Sequence, residues 1–141
     1  MDRTLIEKKL ESLRRCLVRI RDKCPLTAEQ LGQDPDAQDI VAINLTRAVQ
    51  LSVDIGAHLI AGTAAPAPET MGQTFDVLAE QGVIDQELAT RMKKSVGFRN
   101  IAVHNYEAID WVIVHAIVSR HLIDFDGFAK GVAISMQRIV P

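Results

Sequence analysis

The sequence predicts an all-α fold, a bundle of about five helices in one domain spanning residues 1–141. Apolar residues recur at steps of three and four, whereas no segment shows the strict alternation of a half-buried strand. Helix-capping and helix-breaking residues bound these segments. The chain has 141 residues, 48% of them hydrophobic and only 4% aromatic, which suits a single domain with an aliphatic core.

The first two predicted helices span residues 3–24 and run from near Asp36 to about Ile60. The first carries one apolar stripe and ends at Pro25, and a polar connection over residues 25–36 follows it. Gly62 and the Ala/Pro-rich run 64–68 end the second helix. The stripe of the first helix consists of Ile6, Leu10, Leu13, Leu17, Ile20 and Cys24.

Three further helices are predicted in the second half of the chain. A short helix covers Thr70–Gln81, with Gly82 as its C-terminal stop. Asp85 caps the next helix, which reaches His104, and Asp110 caps the last one, from Trp111 to about Val140. The first half of that last helix is apolar almost all round. This predicts that a second subunit covers it as well as the core.

Charge is distributed unevenly along a chain whose net charge is only −2. Residues 1–24 hold eight Lys or Arg against four Asp or Glu. The resulting basic helix face is expected either to steer a polyanion such as RNA, to contact an acidic partner protein, or simply to be solvated. Its members over residues 8–23 are Lys8, Lys9, Arg15, Arg19 and Lys23.

The cysteines and the hydropathy pattern predict a cytoplasmic protein. Cys16 and Cys24 are too far apart to bond within one regular helix, and no secretory signal is visible at the N-terminus. Reduced thiols are therefore expected. The Cys and His residues form no zinc-ligand pattern, and no apolar run is expected to reach membrane-spanning length.

The residues most suited to chemistry lie between Arg99 and Tyr106, the only tyrosine. Arg99 can hold an anion, and His104 can move a proton near neutral pH. His104 follows Arg99 by five positions, and on a regular helix this spacing places the two side chains about 140° apart around the axis. Hence the helix ends or distorts near His104, or the side chains reach around, or a second subunit completes the site. Asn105 and the acidic residues after it favour a helix end, with Tyr106 just beyond it and free to point back toward the histidine.

Such a pair could cleave RNA without a metal, because RNA carries its own nucleophile, the 2′-hydroxyl. His104 would move the proton, Arg99 would grip the phosphate oxygens, and Asn100 would donate a further hydrogen bond. The alternative is a surface arginine and a helix-terminal histidine that interacts only with the helix dipole.

The stretch from Lys94 to Tyr106 resembles the signature of the HEPN superfamily. More narrowly, it resembles the HepT toxins of the MntA–HepT toxin–antitoxin systems, whose pattern is Arg, four residues, His, one residue, Tyr. All three positions are filled, by Arg99, His104 and Tyr106. Further segments resemble HepT in the same order, namely 44–47, 54–59, 75–79, 82–84 and 114–115.

The resemblance implies a dimeric HEPN-type bundle in which the motifs of two subunits form a composite cleft. It implies a type II toxin that acts as a metal-independent endoribonuclease on tRNA or mRNA, without a cofactor. It also implies an MntA-type nucleotidyltransferase antitoxin that transfers AMP to the motif tyrosine, here Tyr106. The added bulk and negative charge would block the cleft and repel RNA.

Two alternatives stay open from the sequence. Asp54, on an otherwise apolar helix face, either orients Arg99 or His104 or forms a structural salt bridge. The whole chain is either a nuclease or a non-catalytic helical dimer that serves as the partner or substrate-binding subunit of a nucleotidyltransferase.

Overall fold

The computed structural model describes residues 1–139 and confirms the all-α prediction, with no strand among those residues. It contains seven α-helices instead of about five. Their bounds are α1 Arg3–Lys23, α2 Ala28–Gly32, α3 Pro35–Ala61, α4 Met71–Glu80, α5 Gln86–His104, α6 Trp111–Arg120 and α7 Leu122–Ile139, with a 3₁₀ turn at Tyr106–Ala108. The predicted helix end near Val140 lies outside the described residues.

The first additional helix, α2, lies within the predicted polar connection. Thr27 and Gln30 form a capping box: the Gln30 backbone N–H donates to Thr27 Oγ1 at 3.1 Å, and the Thr27 N–H donates to Gln30 Oε1 at 3.2 Å. Leu31 is fully buried and anchors this turn, and α2 packs against α6. The capping box and the burial of Leu31 together stabilise a short helix within the predicted connection.

The second additional helix arises because the predicted last helix breaks at His121. The His121 backbone leaves helical geometry at φ −120° and ψ −3°, although its N–H still reaches the Ile117 carbonyl at 2.8 Å. One residue later α7 begins, and its Asp124 side chain lies 3.3 Å from His121 Nδ1 and 3.0 Å from Arg91 Nε. After the break α7 buries Phe125 and Phe128.

Helix α3 is the centre of the bundle and packs against α1, α2, α4, α5 and α7. Close approach to α4 requires Gly56, since a Cβ there would lie 2.5 Å from Thr74 Cγ2. On the other side of α4, Phe75 meets Phe128 edge to face, with ring centroids 5.8 Å apart. Hence α3, α4 and α7 share one aliphatic and aromatic core.

Several predicted helix ends are confirmed by their hydrogen bonds. Asp85 caps α5 by accepting from the Leu88 N–H, and Asp110 caps α6 by accepting from the Val112 N–H. Gly82 has a positive φ of 75° after α4. The N–H that follows it, of Val83, bonds back to the Leu78 carbonyl at 2.9 Å, so the glycine ends this helix as expected.

Two helices have apolar surfaces that bear on the sequence expectations. The expectation that no apolar run reaches membrane-spanning length is wrong for α3, which could cross a membrane by length and composition. More than half of its most apolar stretch is, however, buried inside the bundle. In α6 the protomer buries Val114 but leaves Val112 and Ile113 65% and 57% exposed. The bundle therefore covers only one side of α6, and coverage by a second subunit stays a prediction.

Candidate functional site

The C-terminal end of α5 positions the three motif residues. The helix ends as predicted, because Asn105 adopts φ −152° and ψ 66° while its N–H still bonds to the Ile101 carbonyl at 2.8 Å. The chain then enters the short 3₁₀ turn that begins with Tyr106. Arg99 and His104 consequently lie on the last turns of α5, and Tyr106 lies just beyond it.

Arg99 is partly buried and held on one side by its neighbour. Its Nη1 donates to Asn100 Oδ1 at 3.2 Å, so Asn100 contacts the arginine as an acceptor. Its Nε is buried and has no hydrogen-bond partner within the described part of the chain. Unpaired buried donors are uncommon and mark strained or functional groups. The fork of the guanidinium therefore keeps hydrogen-bonding capacity for an anion.

His104 is exposed and is the last residue of α5. Over residues 1–139 its side chain makes no hydrogen bond or ion pair, and none joins it to Arg99. The two side chains do not meet within one protomer, in keeping with their separation of about 140° around the helix. His104 is exposed and therefore accessible to a substrate.

The sequence predicts that Tyr106 is free to point back toward His104, but the structure directs this side chain elsewhere. Its hydroxyl donates to Asp39 Oδ1 on α3 at 2.5 Å, and its ring packs edge-on against Trp111 with centroids 6.0 Å apart. Burial, followed by the hydrogen bond to Asp39 and the charge of Asp39, raises the pKa of Tyr106 above its ordinary value. Tyr106 therefore faces α3 and Trp111 instead of His104, because the turn places its hydroxyl beside Asp39 and its ring beside Trp111.

Asp39 was missed at the sequence level. It lies 67 residues before Tyr106 in the chain and belongs to no local motif. Only the packing of α3 against α5 brings the two side chains together. They line a recess of about 340 Å³ whose other walls are Ala42, Ile43, Thr46 and Ala102.

A larger open groove adjoins this recess along α3. It lies between α1 and α3, has a volume of about 870 Å³, and shares the wall residue Ile43 with the recess. Two of its arginines, Arg14 and Arg15, pair with Glu11 at 2.6 and 3.4 Å. Arg19 and Arg47 also line it and form no ion pair in the portion of the chain described. We call this the arginine groove.

Asp54 lies at the wall of the arginine groove and not beside the motif. Its carboxylate accepts from Gln50 Nε2 at 3.0 Å and lies 3.7 Å from Lys9 Nζ. Within one protomer the structural salt bridge is therefore the arrangement found. The structure does not bring Asp54 to Arg99 or His104.

No group of three or more His, Cys, Asp or Glu side chains among residues 1–139 is placed to hold a metal ion. The metal-independent mechanism remains a prediction. Both cysteines are free thiols, and burial raises the pKa of each above its ordinary value.

Comparison with known proteins gives consistent matches. A family model described as ribonuclease HepT-like matches residues 13–132. The mRNA nuclease HepT of Shewanella oneidensis is 36% identical over 124 residues, which cover 88% of this chain and 92% of that protein. A tri-AMPylated HEPN toxin of the same organism, solved in complex with MNT antitoxin, has a TM-score of 0.87 at 34% identity and covers 95% of this chain and 99% of that chain. A toxin–antitoxin complex solved with AMP-PNP has a TM-score of 0.87 at 33% identity, covering 93% and 98% of the two chains.

Proposed function

Because this chain belongs to the HepT-like ribonuclease family, we propose that it is the toxin of a type II, MntA–HepT-type toxin–antitoxin pair and cleaves RNA without a metal ion. The family match confirms the resemblance drawn from the sequence. The observation that carries the assignment of the site is the end of α5. There a partly buried Arg99 retains unpaired donors and an exposed His104 stands free five residues later.

The chemistry follows from what these two groups supply. The RNA 2′-hydroxyl attacks the adjacent phosphorus, the bond to the 5′-oxygen breaks, and a cyclic phosphate forms. One base must take the 2′-proton and one acid must give a proton to the leaving 5′-oxygen, both of which a histidine does near neutral pH. Arg99 binds the non-bridging phosphate oxygens and stabilises the charge that develops on them.

A homodimer completes this site. Because Arg99 and His104 are five residues apart, about 140° around the axis of α5, a second copy can bring its own pair across the same cleft. One His104 then takes the proton and the other gives one. Exposed apolar side chains around the motif offer the contact surface, and they are Ile101, Val103, Val112 and Ile113. A two-fold interface of this kind buries the same patch on both subunits.

The arginine groove supports RNA, either tRNA or mRNA, as the substrate. It runs along α3 toward the Tyr106 recess and holds four arginines, of which Arg19 and Arg47 have no carboxylate partner among the described residues. Guanidinium groups bind phosphates with paired donors. The groove would therefore hold the backbone that flanks the scissile phosphate.

Regulation would come from a nucleotidyltransferase antitoxin that transfers AMP to Tyr106. The related complexes include an AMPylated toxin with its antitoxin, and another complex was solved with AMP-PNP. The Tyr106 ring is 39% exposed and so can be reached by such a partner. A phosphodiester and an adenosine at this position would add negative charge and bulk beside the proposed RNA-binding cleft. We expect the pair to act in the cytoplasm.

The test is cleavage of total tRNA and of a defined mRNA by the purified protein in EDTA. His104→Ala should lower the rate by about 10²- to 10⁴-fold, the usual contribution of a general acid or base. His121→Ala serves as the matched control, because that exposed histidine lies at the α6–α7 junction. Intact RNA with the wild type would overturn the nuclease. It would favour the alternative, a non-catalytic dimer that serves the nucleotidyltransferase.

A further inference from the structure

The position of Tyr106 assigns a role to Asp39 that the family motif does not include. The phenol is not free at the surface: its hydroxyl donates to Asp39 Oδ1 at 2.5 Å, and the edge contact with Trp111 fixes the ring. Asp39 lies on α3, the central helix of the bundle, so the acceptor is held on a rigid element. Both residues line the same recess and remain exposed to a partner protein.

We propose that Asp39 is the base that accepts the phenolic proton when Tyr106 receives AMP. This inference rests on the proposed AMP transfer. Tyr106 Oη attacks the α-phosphorus of ATP, and the new O–P bond forms as the bond between the α-phosphorus and the bridging oxygen breaks. Pyrophosphate leaves, and the proton passes from Oη to the Asp39 carboxylate.

The geometry makes Asp39 the group already in place for that proton. An unionised phenol is a weak nucleophile, so its proton must leave as the new bond forms. The surroundings of Tyr106 keep its proton on at neutral pH, because burial and the charge of Asp39 both disfavour the phenolate. Proton removal in step with attack is then required, and the acceptor must be within hydrogen-bond reach. Asp39 is the hydrogen-bond partner of Tyr106 Oη.

The same contact also predicts what happens after transfer. AMP-modified Tyr106 has no proton to donate, and its phosphodiester carries a negative charge. Once Asp39 has released its proton to solvent, two anions face each other in the recess and repel. The modified side chain is then driven away from Asp39 and α3.

The experiment measures the initial rate of AMP addition to the full chain by intact-mass spectrometry, with the cognate nucleotidyltransferase, ATP and Mg²⁺. Asp39→Asn keeps the size and a hydrogen-bonding group but removes the base. It should slow the first addition by about 10²- to 10⁴-fold. Asp36→Asn, on an exposed aspartate one turn earlier in α3, should react at the wild-type rate, and Asp39→Glu should restore part of it.

A pH profile separates a base from a merely structural group. Asp39→Asn should gain rate as pH rises, because only the phenolate that forms unaided can attack, whereas the wild-type rate should stay nearly level around neutral pH. Absorbance titration of Tyr106, the only tyrosine, should also show that Asp39→Asn lowers its pKa. The thermal unfolding midpoint should match that of the wild type.

Two results would overturn the inference, and they differ. Modification of Asp39→Asn at the wild-type rate would overturn the role of Asp39 alone and point to a base from the antitoxin. Absence of AMP on Tyr106 of the wild type would overturn the proposed modification, and the role of Asp39 with it.

Discussion

The two halves of α5 use the same kinds of residue for opposite purposes. In the first half, Arg91 pairs with Asp124 at 3.0 Å and Lys93 pairs with Asp76 at 2.9 Å. In the second half, Arg99 bonds only to its neighbour Asn100, and His104 has no partner among residues 1–139. The first half thus directs two of its charges to other helices of the protomer. The second half leaves its own available to a ligand.

The apolar side chains of α5 divide in the same way. Leu88, Ala89 and Met92 are buried in the core, whereas Ile101 and Val103 are 45% and 50% exposed. The contribution of α5 to the free energy of folding therefore comes mainly from its first half. We expect the exposed second half to contribute instead to RNA binding and to the proposed contact with a second copy of the chain.

The largest expected effect comes from substituting one apolar residue in each half of α5. Met92→Ala should lower the free energy of unfolding by about 2–5 kcal/mol, since Met92 is 1% exposed and the substitution leaves a cavity. Val103→Ser should leave protomer stability nearly unchanged but weaken dimer association. Denaturant unfolding and sedimentation measure the two quantities. A Val103→Ser variant that dimerises like the wild type would contradict the division.

The two arginines of α5 allow a second comparison, in which each substitution is expected to affect either RNA cleavage or stability but not both. Arg99→Ala should lower RNA cleavage by about 10²- to 10³-fold, the typical loss of one group that stabilises transition-state charge. Its unfolding free energy should change little. Arg91→Ala should do the reverse, costing about 1–3 kcal/mol of stability because the largely buried Asp124 loses one of its two partners and keeps only His121. If both variants lose cleavage equally, the two halves of α5 are not functionally distinct.

The smallest expected effect is the pH dependence of stability at Tyr106. The pKa of this phenol is raised in the folded state, while in the unfolded chain it titrates near its ordinary value of about 10. Above that pH the unfolded chain releases a proton that the folded chain keeps, so the free energy of unfolding falls as pH rises. Below about pH 10 this contribution is fully present.

Tyr106→Phe is the matched control for this measurement, because all other titrating groups are shared. The stability of the wild type relative to Tyr106→Phe should decline from about pH 10 upward. The decline should be modest, since the side chain is partly exposed. A difference that stays constant from neutral to alkaline pH would contradict the Asp39-bound state of the phenol.

Features that depend on near neighbours in the chain were predictable. Asp85 and Asp110 cap helices as expected, Gly82 ends α4, and α5 ends at His104 before Asn105. Each depends on a hydrogen bond within a few residues, which the local sequence specifies. The capping box of α2 was present at Thr27 and Gln30 but was read as a polar connection.

Features that depend on distant neighbours were not predictable. The apolar pattern continues through His121, so nothing local announces the break, and Asp124 and Arg91 meet there only after packing. Asp54 was a candidate partner for the motif, yet in the protomer it pairs with Lys9 and Gln50. A side chain on the apolar side of a helix can contact any of several neighbouring helices, and only the tertiary arrangement decides which helix supplies its partner.

By itself the sequence determined the all-α class, most helix ends and the family motif of Arg99, His104 and Tyr106. These follow from helical periodicity, capping and spacing, which act over a few residues. The tertiary structure alone decided that Tyr106 turns to Asp39 across 67 residues and that the arginine groove runs toward their recess. The physical reason is that α3 and α5 pack through their buried faces, and this packing fixes which exposed polar groups become neighbours.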